Sequence, residues 1–404
     1  MTTVVRNQVT DLRGVFRIVV DAVAATTALV EAMHANIAKT PTRLGGAIVG
    51  GSVNGTASLV YESIRGVTRA VGRGIDLALG AVTPALGYIN YSPEREAVIA
   101  ALNGVLGDYL AETANPLAVT MHLRREGQPL DLRREGLAAA IPMASSKVLV
   151  LVHGLCRNDR CWERDGHNHG AELARDLPYT TAYLHYNTGL HISTNGRAFA
   201  QVLEELVSAW PVPLNEVSIL AHSMGGLVAR SAYHYATAAG YVWPSKLRKL
   251  VFLGTPHHGV PLERAGHWFE LLLERTPFTA PFALLGRVRS AGITDLRHGS
   301  VLEEDWKGRD RTENRSDSCR SLRLPRRVQC YTIAATIGDA PSRRRDQLIG
   351  DGLVPVESAL GDHRDSRRRL AFPRSHQWTA KGTSHLGLLC SGQVYERIRD
   401  WFGE

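Results

Sequence analysis

The spacing of hydrophobic and polar positions changes partway along the chain. In 92–116, SPEREAVIAALNGVLGDYLAETANP, Val98, Leu102, Val105 and Tyr109 recur at helical spacing. Ile99, Leu102, Leu106 and Leu110 do the same, so one broad apolar face is predicted. Ser92 and Pro93 are suited to a helix start, one as cap and the other at the first helical position. Upstream, DLRGVFRIVVDAVAATTALVEAMHANIA also reads as an amphipathic helix, so residues 1–116 are expected to form a helical N-terminal region. From 117 the period shortens. LAVTMHLRREGQPLDL predicts a hairpin turning at Glu126-Gly127-Gln128. KVLVLVH (147–153) and EVSILAH (216–222) are continuous apolar runs, expected of strands buried on both faces of a parallel sheet. TTAYLHYN, KLRKLVFLGTP and VQCYTIAATI predict three more strands. GRAFAQVLEELVSAW and MGGLVARSAYHYATAAG predict helices between them. The alternation implies an α/β domain over 117–404, with a doubly wound, mostly parallel sheet.

Composition narrows the possibilities. The 404 residues are 44% hydrophobic and 21% charged, ordinary for a globular protein. The net charge is +8, but the arginines occur in short runs such as Arg343–Arg345 and Arg367–Arg369, which read as solvated loops. No basic stripe with interleaved aromatics suggests nucleic acid. Five cysteines make no disulfide framework, and the short spacing of Cys156 and Cys161 does not by itself specify a bridge. Asp11 and Asp21 interrupt what would be the apolar core of a signal peptide. The uncharged run Leu44–Tyr61 is too rich in glycine and polar residues to make a good spanning helix. A cytoplasmic protein is expected, with the N-terminal helices available for peripheral membrane contact.

Ligands of open parallel sheets bind outside the carboxyl ends of the strands. Ser223, in AHSMGG, follows directly on the strand EVSILAH and opens a helix. A serine on such a turn exposes Oγ beside a helix N-terminus that favours developing negative charge. The turn is expected to bring positions 221 and 225 together, so both need small side chains, here Ala221 and Gly225. The strand KVLVLVH ends in His153-Gly154-Leu155, where Gly154 is expected to permit an unusual backbone. The Leu155 and Met224 N–H groups are then the candidate donors of an oxyanion hole. A hydroxyl nucleophile needs a base and an orienting carboxylate. Asp351, in GDGLVPVES, competes with Asp346, Asp362 and Asp365; His385, in GTSHLGLL, competes with His376. His222 is too close in sequence to turn back onto Ser223.

Together, HGL, AHSMGG, LGTPHHG, GDGLVPVESALG and the closing SH resemble bacterial α/β-hydrolase lipases and carboxylesterases. The likeness extends to the PGAP1-like esterase group, of which YNTGLHISTNGR is also typical, and it covers about 117–404. It departs from the usual elbow in having Ala221 for the first glycine. The resemblance implies the α/β-hydrolase fold, with Ser223 as nucleophile, His385 as base and Asp351 as its partner. The oxyanion donors would be Leu155 and Met224, and no cofactor is needed. It implies hydrolysis of carboxylic esters, whether small molecules, lipids or polymers including polyesters. An acyltransferase or a phospholipid or lipid-anchor deacylase could use the same triad. A hydrolase-fold binding protein is the non-catalytic alternative.

An insertion at about 262–325 is expected to cap the site. Trp268, Phe269, Leu272, Phe278 and Phe282 would give it an apolar roof. His257-His258, and His167 with His169, raise the question of a metal, but no third ligand has suitable spacing and none is expected.

Overall fold

The computed structural model describes residues 11, 13–14, 16–17, 62, 93–260, 290–308, 322–338 and 349–404. Contacts divide the chain into two compact units, Met1–Ser92 with Glu112–Leu117, and Pro93–Ala111 with Ala118–Glu404. In the first, the helical Arg17 donates to Ala114 O (2.8 Å) and Asn115 Nδ2 to Gly14 O (3.1 Å). The helix α1 (Pro93–Glu112), starting at the expected proline, thus lies almost wholly in the unit that carries the sheet.

Among the described residues that sheet has eight strands: β1 (His122–Arg125), β2 (Gln128–Pro129), β3 (Lys147–Val152), β4 (Thr180–His185), β5 (Glu216–His222), β6 (Leu247–Leu253), β7 (Gln329–Ala335) and β8 (Gln377–Ala380). Their order is β2-β1-β4-β3-β5-β6-β7-β8. β3 to β8 run parallel, and at one edge β1 pairs antiparallel with both β2 and β4. The hairpin turns at Glu126 and Gly127, both at positive φ (51° and 74°), as a tight two-residue turn requires. This mostly parallel, helix-flanked sheet is an α/β-hydrolase fold.

Period-2 alternation within the apolar runs supplies both faces of the sheet. Val148, Val150 and Val152 join Ile219 and Ala221 on one face, under Phe199 and Leu203 of α4 (Ile192–Ala209) and Leu227 of α5 (Met224–Ala239). Leu149, Leu151, Leu220 and Leu253 line the other. They meet Leu173 of α3 (His169–Asp176) and Ile398 and Trp401 of the last helix (Gly392–Gly403). Each such fully buried side chain contributes about 1.5–3 kcal/mol. α4 and α5 approach closely because position 196 is glycine: a Cβ there would lie 2.3 Å from Ser231 Oγ.

Several elements escape the hydrophobic pattern, among them α2 (Arg134–Ala140), α3 and the short edge strand β8, whose first three residues are only half-buried. Of the insertion at 262–325, the described part includes the helix Ala291–His298. Its start is tied to α1: Ser290 Oγ donates to Gly104 O (2.7 Å), and Ala291 N to Asp108 Oδ2 (2.9 Å). Trp268, Phe269, Leu272, Phe278 and Phe282 lie outside the described residues. No described helix is long and apolar enough to cross a membrane.

Candidate functional site

β5 delivers Ser223 to the carboxyl edge of the sheet, as its position in the sequence suggests. The residue is a non-glycine at φ 55°, ψ −127°, immediately before α5. Such a backbone costs of order 1–3 kcal/mol and persists only where the surroundings enforce it. They do so here: Ser223 N donates to Leu253 O (2.8 Å), and Gly226 N to Ser223 O (3.0 Å). Ser223 does not serve as a helix cap through its side chain. Oγ is buried and has no hydrogen-bond partner among the described residues.

The glycines around the turn answer to crowding. A Cβ at Gly225 would lie 2.5 Å from Val152 O and 2.6 Å from His153 O. The nearest neighbours of that position are therefore the carbonyls of the last residue of β3 and of the residue after it, where the sequence suggested Ala221. At Gly154 a Cβ would come within 2.9 Å of Ser223 Cβ and 3.4 Å of Oγ. Gly154 is not at positive φ; the left-handed residue of this loop is Cys156 (φ 58°). Gly154 is needed for closeness.

The loop after β3 is braced by the motif that follows β4. Tyr186 stacks on His153 (centroids 4.4 Å apart) and its hydroxyl donates to His153 O (2.8 Å). Thr188 Oγ1 accepts the N–H of Cys156 (3.1 Å). Asn187 holds α1 by donating from Nδ2 to Gly107 O (2.8 Å). Leu155, between these ties, is buried beside Gly154. Met224 is the first residue of α5, so its N–H has no intrahelical acceptor.

His385 and Asp351 are brought together. His385 Nδ1 lies 2.7 Å from Asp351 Oδ2, and both side chains are buried. The backbone repeats the pairing, with His385 N donating to Asp351 O (2.9 Å). Asp351 Oδ1 accepts the N–H groups of Leu353 (2.9 Å) and Val354 (2.7 Å), which fixes the carboxylate. Gly254 joins this pair to the serine. It follows Leu253, the acceptor for Ser223 N, and a Cβ there would lie 3.1 Å from His385 Nδ1 and 3.0 Å from Asp351 Oδ2.

His222 sits beneath, its Nε2 donating to His385 O (3.1 Å) and its ring 4.6 Å from that of His385. Burial, with the neighbouring His385, holds its pKa well below the usual histidine value, so it is neutral. His153 is likewise neutral, pushed down to about 3 by burial.

The competing residues lie elsewhere. Asp365 pairs with Arg367 (3.0 Å) and the exposed Asp362 approaches Arg369 (3.7 Å). Asp346 lies outside the described residues. His376 precedes β8 at the opposite end of the sheet, donating from Nδ1 to Cys330 O (3.0 Å). His257 is buried next to Arg230, and His169 donates from Nε2 to Leu388 O while its Nδ1 meets His167. Among the described residues no group of three or more His, Cys, Asp or Glu could hold a metal ion. Cys156 and Cys161 stand as thiols.

Residues 97–296 match a family described as a domain of unknown function, DUF7379. Among solved structures, the mature lipase BlEst2 of Bacillus licheniformis is similar with a TM-score of 0.42 and 18% identity, over 70% of this chain and 97% of its own. For lipase B of Aspergillus fumigatus the values are 0.41 and 12%, over 72% of this chain and 57% of its own. A lipase-esterase related protein of Clostridium acetobutylicum gives 0.36 and 14%, over 70% and 99%. No curated protein sequence matches.

Proposed function

We propose that the protein is a serine hydrolase of carboxylic esters. The carrying observation is that Ser223 is held at a positive φ between β5 and α5, its buried Oγ without a hydrogen-bond partner among the described residues. The buried His385–Asp351 pair borders the same Leu253-Gly254 junction.

In this reading His385 takes the Ser223 proton as Oγ attacks the ester carbonyl. Asp351 accepts from His385 Nδ1–H, which leaves Nε2 as the basic nitrogen and stabilises the imidazolium that forms. The Leu155 and Met224 N–H groups receive the oxyanion of the tetrahedral intermediate. His385 returns its proton to the departing alcohol, leaving Ser223 acylated. Water, losing a proton to the same histidine, then releases the acid and restores the hydroxyl. Lipid or hydrophobic esters are the substrate class proposed, and the PGAP1-like esterases are the group whose motifs the chain resembles.

The test is hydrolysis of a short p-nitrophenyl ester by the wild type and by Ser223→Ala. The variant should fold normally and lose the activity. Retained turnover in a folded Ser223→Ala protein would rule the reading out.

A further inference from the structure

Two arginine-bearing segments, separate in sequence, converge on one cavity at the amino ends of β7 and β8. The geometry points to a binding site there for a small phosphate-bearing anion. The cavity has a volume of about 660 Å³, within the range of small-molecule sites. Arg323, Arg326 and Arg327 reach it from the approach to β7; Arg367 and Arg369 reach it from the loop before β8. Its floor includes the buried Val328 and Leu370.

Three of the five cavity arginines have no counterion among the described residues. Asp365 and Asp362 face Arg367 and Arg369. Arg323, Arg326 and Arg327 have no ion pair with a described carboxylate, nor any side-chain hydrogen bond to a described residue. A concave surface with an apolar floor focuses the field of such a cluster. Guanidinium groups match phosphate oxygens with paired donors, so a multiply charged phosphate answers both the charge and the geometry. Either a soluble polyphosphate or a phospholipid headgroup carries that chemistry.

The site is separate from Ser223. β5, β6, β7 and β8 run parallel, so their amino ends lie across the sheet from the serine. Seven strand residues span roughly 20 Å. The ligand is therefore not the ester undergoing cleavage, and the proposal does not depend on the hydrolase reading.

Calorimetry with inorganic tripolyphosphate at low salt tests it, alongside sedimentation with phosphatidylglycerol or phosphatidylcholine vesicles. Tripolyphosphate is expected to bind one per chain, more weakly as salt rises. Saturable binding to phosphatidylglycerol vesicles but not phosphatidylcholine would identify a headgroup source instead. Each cation removed from about 4 Å costs about five-fold, so R323Q/R326Q/R327Q should weaken either interaction about 100-fold. A charge-matched control, R133Q/R175Q/R248Q, alters exposed arginines outside the cavity and should bind as the wild type does. Ser223→Ala should also bind normally. Absence of wild-type binding in both arms, unchanged binding by the cavity variant, or equal loss in the control overturns the proposal.

Discussion

His385 Nδ1 and Asp351 Oδ2 lie 2.7 Å apart in a buried pair whose carboxylate is held from its other oxygen by two backbone N–H groups. Asp351→Asn keeps the shape and removes the acceptor that sets the imidazole tautomer. On the hydrolase reading, kcat for a p-nitrophenyl ester should fall about 10⁴-fold with the melting temperature little changed. A loss of less than ten-fold in steady-state kinetics would assign the orienting role to another residue.

Gly154 tests the packing beside the serine. A methyl there meets Ser223 Cβ at 2.9 Å, so one of the two backbones must shift. Displacements near 1 Å at a reacting group cost about 10²-fold. Gly154→Ala should therefore lower kcat by about that factor, with KM changed only a few-fold. Wild-type kcat in the variant would show that the loop after β3 does not set the position of Oγ.

What the sequence reveals of the fold follows a physical divide. β3 and β5 were legible nearly residue for residue because both sheet faces are buried, so their runs are continuously apolar. Ser223, Asp351 and His385 stand out as candidates in the sequence because strand–helix junctions and loop order place them on one sheet edge. Cys156 does not, since a left-handed non-glycine residue has no sequence signature when tertiary contacts impose it. β8 was missed because its exposed edge dilutes the apolar pattern. At Gly154 the sequence does not distinguish close approach from backbone freedom, since both leave the same glycine. Arg367 and Arg369 read as a solvated run, because nothing local reveals that Arg323, Arg326 and Arg327 face the same cavity.

A buried charge cluster supports a stability prediction. Arg124 Nη1 lies 3.0 Å from Glu96 and 3.0 Å from Asp159, joining α1, β1 and the loop after β3, with all three side chains nearly inaccessible. Arg124→Met removes the nearer cation from both carboxylates, leaving Glu96 with Arg160 Nε at 3.5 Å and Asp159 with His185 Nδ1 at 3.2 Å, and should cost about 3–5 kcal/mol in urea unfolding. Adding Glu96→Gln and Asp159→Asn to that variant should recover much of the loss. If the triple variant is less stable than Arg124→Met alone, the penalty does not come from uncompensated charge.

The buried histidines set an acid limit. Burial pushes His169 down to about 3, against an unfolded value near 6.5. The unfolded chain thus binds the proton first. The contribution is fully present above pH 6.5 and is lost as pH falls towards 3. One such group steepens the dependence by about 1.4 kcal/mol per pH unit. Between pH 6 and 4.5, unfolding free energy in His169→Gln should fall less steeply than in the wild type by about that amount. Parallel curves would contradict the burial argument for His169.

The central claim is that Ser223 is the nucleophile. The most direct measurement is reaction of the wild-type protein with a fluorophosphonate, followed by peptide mass spectrometry. One adduct per chain is expected, on the peptide containing AHSMGG and at Ser223, with none in Ser223→Ala. An unlabelled wild-type protein, or an adduct on another residue, contradicts it.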